Sequence, residues 1–196
     1  MRKSSIWLSF FLWVLVAVAY AFRRPIQQGG FPIDPYYLTL FAFPILLIIF
    51  RKFSFSDLGL RIGKPLVGLF FVFLLPAILF LRWRFMGIPF HLSQNYFPMI
   101  LIGSIAEEFF FRGYLQEEFK KSFGTNISFL ITNLLFALVH FVKGYSLAPT
   151  LITGLIGVYF SLTKDKQGGN SLIYSMGAHS LFNLVVSSMP QLSRVL

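Results

Sequence analysis

Three short polar constellations interrupt an otherwise apolar chain, and their residue types are those of acid–base chemistry. The first is Glu107-Glu108-Phe109-Phe110-Phe111-Arg112. On a helix Glu108 and Arg112, four apart, share a face and can pair, whereas Glu107 is turned about 100° away. One carboxylate is then neutralised locally, and the other is left to face a cavity as a general base. The second is Phe136-Ala137-Leu138-Val139-His140, an imidazole closing an apolar run. The third is His179-Ser180-Leu181-Phe182-Asn183, an imidazole and an amide stacked one turn apart.

Read singly, each has a plainer role. Glu107 and Glu108 can mark a helix end in the headgroup layer, His140 can be a hydrogen-bonded structural residue, and His179 with Asn183 can be glue between helices. Together they are the parts of a hydrolytic site: a water activator, a proton shuttle and oxyanion donors. They are equally the parts of a metal site, with Glu107, His140 and His179 holding an ion such as Zn²⁺ and a water in its open position.

The elements that must position these groups belong to a membrane. Only 12% of the 196 residues are charged, against about 25% in a soluble protein. Hydrophobic residues reach 56% and the mean hydropathy is +0.72. A soluble domain of this size has too much surface for its volume to hide that apolar content. The absence of cysteine excludes disulfides, thiolate metal sites and a cysteine nucleophile. A hydrocarbon core about 30 Å thick calls for ~20 apolar helical residues. Seven apolar runs come near that length, at 5–22, 36–50, 65–81, 96–111, 126–142, 145–162 and 171–189; only the fourth is interrupted by carboxylates, Glu107 and Glu108. The expected fold is all-α: one integral-membrane domain over residues 1–196, a polytopic transmembrane bundle of about seven helices, with a polar cavity between those that carry the motifs. A carboxylate near the bilayer centre costs about 2.5–3.5 kcal/mol on insertion scales, so such residues should face the interior and have partners.

The net charge of +10 comes from 17 basic residues against seven acids; one of the 17, Arg112, directly follows the fourth run as part of its motif, and the other sixteen are spread over the segments that flank the runs. If all seven runs span, ten of these share the side of the N-terminus (Arg2, Lys3, Arg51, Lys52, Arg61, Lys64, Lys120, Lys121, Lys164, Lys166) and six the other. The positive-inside rule then puts the N-terminus in the cytoplasm, at the cell membrane if the host is prokaryotic. Basic residues that flank apolar runs, instead of clustering on one soluble face, do not make a nucleic-acid surface. The first run ends Ala19-Tyr20-Ala21, like a signal-peptide cleavage site, but Arg23-Arg24 follow at once as a stop-transfer flank, which favours a retained helix.

With these residues in view, the chain resembles the CAAX protease and bacteriocin-processing family, also called ABI, which includes the Ras-converting CAAX endopeptidase. Glu-Glu-x-x-x-Arg at 107–112, Phe-x-x-x-His at 136–140 and His-x-x-x-Asn at 179–183 resemble its three motifs in order, spacing and placement on separate apolar helices. The resemblance covers about residues 99–186, the catalytic core. Ser56-Asp57-Leu58-Gly59-Leu60-Arg61 is similar to the short loop that often precedes it. The resemblance implies an intramembrane endopeptidase acting on a CAAX-type or a small bacteriocin-type peptide, prenylated or not, that enters from the bilayer. By position it implies that Glu107 activates water with His140 beside it and that His179 and Asn183 orient or stabilise the oxyanion. Glu108, Arg112 and Phe136 are given supporting places. The motif allows both a metal-free glutamate mechanism and a divalent metal such as Zn²⁺.

Two other functions fit the same buried residues: a transporter or channel with a Glu/His proton relay, and a bacteriocin self-immunity membrane protein. Elsewhere the reading is structural. His91 lies in a loop outside the motifs. Glu117 and Glu118, beside Lys120 and Lys121, read as a solvated helix end. Tyr36 and Trp83 read as interfacial anchors, and Gly154 and Gly157 as close helix contacts. The many Phe residues read as lipid-facing filler.

Overall fold

The structure is a computed structural model that describes residues 6–30, 34–50, 53–91 and 97–188. Arg2, Lys3, Arg51, Lys52 and Arg194, which enter the topology count, lie outside the described residues. No strand occurs among the described residues. The apolar runs become α1 (Ile6–Ala21), α3 (Pro35–Ile49), α4 (Pro65–Phe85), α5 (Phe97–Glu108), the far part of α6 (Gln116–Val142), α7 (Leu147–Leu162) and α8 (Leu172–Ser187), and a short α2 (Arg23–Gln28) follows α1. Three stretches are long and apolar enough to cross a membrane: Pro65–Phe85, Ile100–Val142 and Leu147–Gln167. Helices α1, α3 and α8 are apolar but shorter.

Local chemistry sets the boundaries. Asp34 caps α3 by accepting from Tyr36 N at 2.9 Å, and Pro35 occupies the first turn, where its missing N–H costs nothing. The helix bearing the glutamates does not stop at Phe111. It passes through a wide π-helical turn, Phe109–Leu115, whose seven residues are all buried, and runs on into α6. The break comes at Gly124, whose φ of 77° and ψ of 174° lie outside helical space and suit a residue without Cβ. A second π turn, Thr163–Gln167, extends α7.

Helix α6 packs along α7, α8 lies between α4 and α5, and α1 packs on α3 and α6. The core is aromatic: Phe110, Phe111, Tyr114, Phe119 and Phe136 are buried against one another and against α1 and α3. Part of the Phe content is therefore packing, while α4 presents Leu66, Phe70 and Phe73 outward as a bilayer-facing surface would require.

Three structural readings change. Glu117 and Glu118 are buried, not solvated. Glu117 pairs with the fully buried Lys164, Lys120 bridges Glu117 at 3.5 Å and Asp165 at 2.8 Å, and Lys121 holds Glu118 at 2.6 Å. Three ammoniums thus balance three carboxylates, and that balance makes burial tolerable. Tyr36 and Trp83 are also buried, and the Tyr36 ring meets Tyr20 of α1 edge-on with centroids 5.2 Å apart.

Candidate active site

The motif side chains Glu107, His140, His179 and Asn183 converge on one cavity from α5, α6 and α8. Glu107 and Glu108 end α5 and are enclosed by the bundle, at 5% and 0% exposure, so they do not sit at an exposed helix end. Glu108 meets Arg112 Nη1 at 3.1 Å, the pairing expected from their spacing. It also accepts from His179 Nδ1 at 2.9 Å. A carboxylate that accepts at Nδ1 fixes which nitrogen carries hydrogen, and it leaves Nε2 facing Glu107 Oε2 at 3.8 Å. The His179 ring stacks on Phe160, centroids 4.5 Å apart, and meets Phe136 edge-on at 6.0 Å.

His140 is oriented by its own helix. Its Nδ1 donates to the Phe136 carbonyl at 2.9 Å, and the ring lies against Phe136 and Tyr145. Nε2 is then the nitrogen available to take up a proton. Asn183 donates from Nδ2 to Ser104 Oγ at 2.9 Å and keeps its second N–H. Glu107, His140, His179 and Asn183 all line one cavity of about 390 Å³, together with Ser104, Tyr37 and a largely apolar wall. Apolar walls with a few convergent polar groups are the usual form of a ligand site. His91 is exposed and not among the lining residues.

Beneath the cavity Arg112 is fully buried. Its Nη2 donates to Asn133 Oδ1 at 3.0 Å and to the Gly157 carbonyl at 3.1 Å, and its guanidinium lies 4.2 Å from the Phe136 ring centre. Phe136 thus supports both Arg112 and His179. Gly157 is where α7 approaches this network. A Cβ there would stand 2.6 Å from Asn133 Oδ1 and 2.7 Å from Arg112 Nη2. Gly157→Ala is expected to cost about 1–3 kcal/mol through overpacking, read as a fall in unfolding temperature in detergent. Gly154→Ala, whose Cβ would meet Ala137 Cβ at 3.3 Å, should cost clearly less. Equal effects would contradict this account.

Two partners of Glu107 were not expected. Lys143 Nζ lies 2.5 Å from Oε1, and the Tyr36 hydroxyl donates to the same oxygen at 2.8 Å. Lys143 follows His140 by three residues, which was a usable signal. Asn133 precedes Phe136 by three and His140 by seven, so it too shares their face. Tyr36 left no such signal, because it lies 71 residues from Glu107.

Among the described residues no group of three His, Asp or Glu is arranged to hold a metal ion. Glu107, His140 and His179 line one cavity without forming such a group, and one Glu107 oxygen already accepts from an ammonium and a phenol. The donor set therefore does not fit a resident divalent ion.

Residues 89–185 match the family model described as type II CAAX prenyl endopeptidase Rce1-like. Neither a curated protein nor a solved structure matches the chain.

Proposed function

The chain belongs to the CAAX protease and bacteriocin-processing family, and we propose that it is an intramembrane endopeptidase in which Glu107 activates the attacking water. The observation that carries this reading is the pair of atoms Glu107 Oε2 and His179 Nε2, 3.8 Å apart on one cavity, with the far side of each group anchored. That separation is too long for a direct hydrogen bond and leaves a position from which one water reaches both.

Glu107 takes a proton from that water as its oxygen attacks the scissile carbonyl carbon. The carbonyl oxygen becomes an oxyanion. The second Asn183 N–H can donate to it, as can His179 Nε2 when that nitrogen carries a proton. Such donors are worth about 2.7–4 kcal/mol each in other hydrolases. As the C–N bond breaks, the leaving nitrogen needs a proton, and His140 Nε2 can relay the one that Glu107 gained. Glu108 and Arg112 act through His179, holding its ring in place. No step uses a metal.

The substrate is a peptide reaching the cavity from the bilayer. The cavity is lined by Lys143 and Tyr145, just past α6, and by Ser187 at the end of α8. If every run spans, these lie on the side away from the N-terminus. With the N-terminus cytoplasmic, the cavity opens to the external face.

The test is cleavage by the purified full chain, in detergent or proteoliposomes, of a panel of apolar peptides, with products identified by mass. Cleavage is expected at the same rate before and after treatment with a strong chelator. Loss of cleavage on chelation, restored by Zn²⁺, would overturn the metal-free mechanism. An absence of cleavage across the panel, with proton flux in proteoliposomes, would overturn the protease reading.

A further inference from the structure

The contact between Lys143 and Glu107 sits awkwardly in a hydrolytic site. An ammonium 2.5 Å from Oε1 occupies the carboxylate and, by its charge, opposes the arrival of a proton. A base that works by accepting a proton from water is hindered while this contact lasts. Yet Lys143 is not locked there. It is the first residue beyond α6, followed by Gly144, which turns the chain with a φ of 90°. Its side chain is 12% exposed, and its flexible four-carbon stem carries three rotatable donors. The ammonium also lies 4.6 Å from the Tyr36 ring centre and 5.6 Å from that of Tyr20, within cation–π range. Both rings therefore help to hold the charge where it now lies. Arg23 stacks on the same Tyr20 ring at 3.9 Å, so basic charge continues from the cavity toward α2.

Lys143 is the one lysine or arginine among the described residues lining the cavity. An anion entering an apolar cavity at membrane depth needs a cation to receive it. We propose that Lys143 receives a carboxylate of the substrate, and that its transfer from Glu107 to that carboxylate releases the base. The exchange keeps one ion pair in the cavity throughout: Lys143 with Glu107 before binding, Lys143 with the substrate afterwards. Glu107 retains Tyr36 and turns its charge to water only when a substrate is present. The proposal deepens the endopeptidase reading and rests on it. The carboxylate can be the free C-terminus of the peptide or an acidic side chain.

Three fluorescein-labelled peptides of one apolar sequence separate these sources: a free C-terminus, a C-terminal amide, and an amide with one internal Glu. Each is made in a cleavable form and in a form N-methylated at the scissile amide. Binding of the N-methylated forms is read by anisotropy on the wild type, Lys143→Gln and Lys143→Arg in detergent, and kcat/KM is read on the cleavable forms. The wild type is expected to bind one carboxylate peptide about 10–100-fold more tightly than the amide, the range for a hydrogen bond to a charged group. Lys143→Gln should bring that ratio near one, and Lys143→Arg should keep most of it. Preference for the free terminus assigns the chain end as the source, and preference for the internal Glu assigns a side chain. Equal binding of all three by the wild type would overturn the proposal, even if Lys143→Gln fails to fold. So would a preference that survives in Lys143→Gln. Carboxylate-dependent binding without cleavage would leave Lys143 as the receptor of the carboxylate but would overturn the endopeptidase and, with it, the release of a base. Cleavage without carboxylate preference would do the reverse.

Discussion

Glu107→Gln is expected to lower kcat/KM for peptide cleavage by about 10²–10⁴-fold, the usual contribution of a positioned general base. The substitution is nearly isosteric. The amide oxygen can still accept from the Tyr36 hydroxyl, which now bonds Glu107 at 2.8 Å. What is lost is the negative charge and the capacity to take a proton from water. Glu107 is the suitable residue for that test because its neighbour is committed elsewhere: Glu108 accepts from His179 and pairs with Arg112. Glu108 therefore cannot substitute as a base without releasing both. The measurement is initial cleavage rate against peptide concentration, with the unfolding temperature recorded alongside. Activity within tenfold of wild type, in a folded protein, would remove Glu107 from the role of base. The Gln variant also leaves Lys143 without its carboxylate, so tighter binding of an acidic peptide should accompany the loss of rate.

Arg112→Leu is expected to produce the largest loss of stability, about 3–5 kcal/mol, the cost of breaking a buried ion pair by removing one partner. Glu108 would be left as a charge at 0% exposure, and Asn133 Oδ1 and the Gly157 carbonyl would each lose a donor. The pair itself is not evidence of great net stability, since Arg112 Nε and Glu108 Oε2 have no hydrogen-bond partner among the described residues. The discriminating variant is therefore the double substitution. Adding Glu108→Gln to Arg112→Leu removes the stranded charge while keeping an acceptor for His179. It should recover a large part of the loss in a denaturant or thermal unfolding measurement. A double variant no more stable than the single one would show that the cost lies in packing against Phe136 rather than in the stranded charge. In either variant His179 loses part of its anchorage, so cleavage should fall even where the fold survives.

The two expectations rest on different kinds of information. That seven apolar runs build a helical membrane bundle was legible from composition and run length, because each helix must satisfy its backbone internally and show lipid an apolar surface. The likeness of the three motifs to one family was legible too, and so was the Glu108–Arg112 pair, since partners four apart on one helix need no tertiary information. The reading of Glu117 and Glu118 failed for a related reason. Acidic and basic residues side by side look like a solvated end. Only the approach of Lys164 and Asp165, more than forty residues along the chain, turns them into a neutral buried cluster.

By itself, then, the sequence determined the class of fold, the family resemblance and the candidate carboxylate, imidazoles and amide, because composition, run length and i,i+4 spacing are local properties. The tertiary structure decided what each of those groups touches. It alone anchored His179 on Glu108 across 71 residues, set Tyr36 and Lys143 on Glu107, and tied Arg112 to Asn133 and Gly157. These partners come from helices remote in sequence, and their meeting depends on how the helices pack, on the π turn after Glu108 and on the break at Gly124. No periodicity within a single helix encodes such a meeting, because a helical repeat specifies which face a residue occupies and not which helix will come to lie against it.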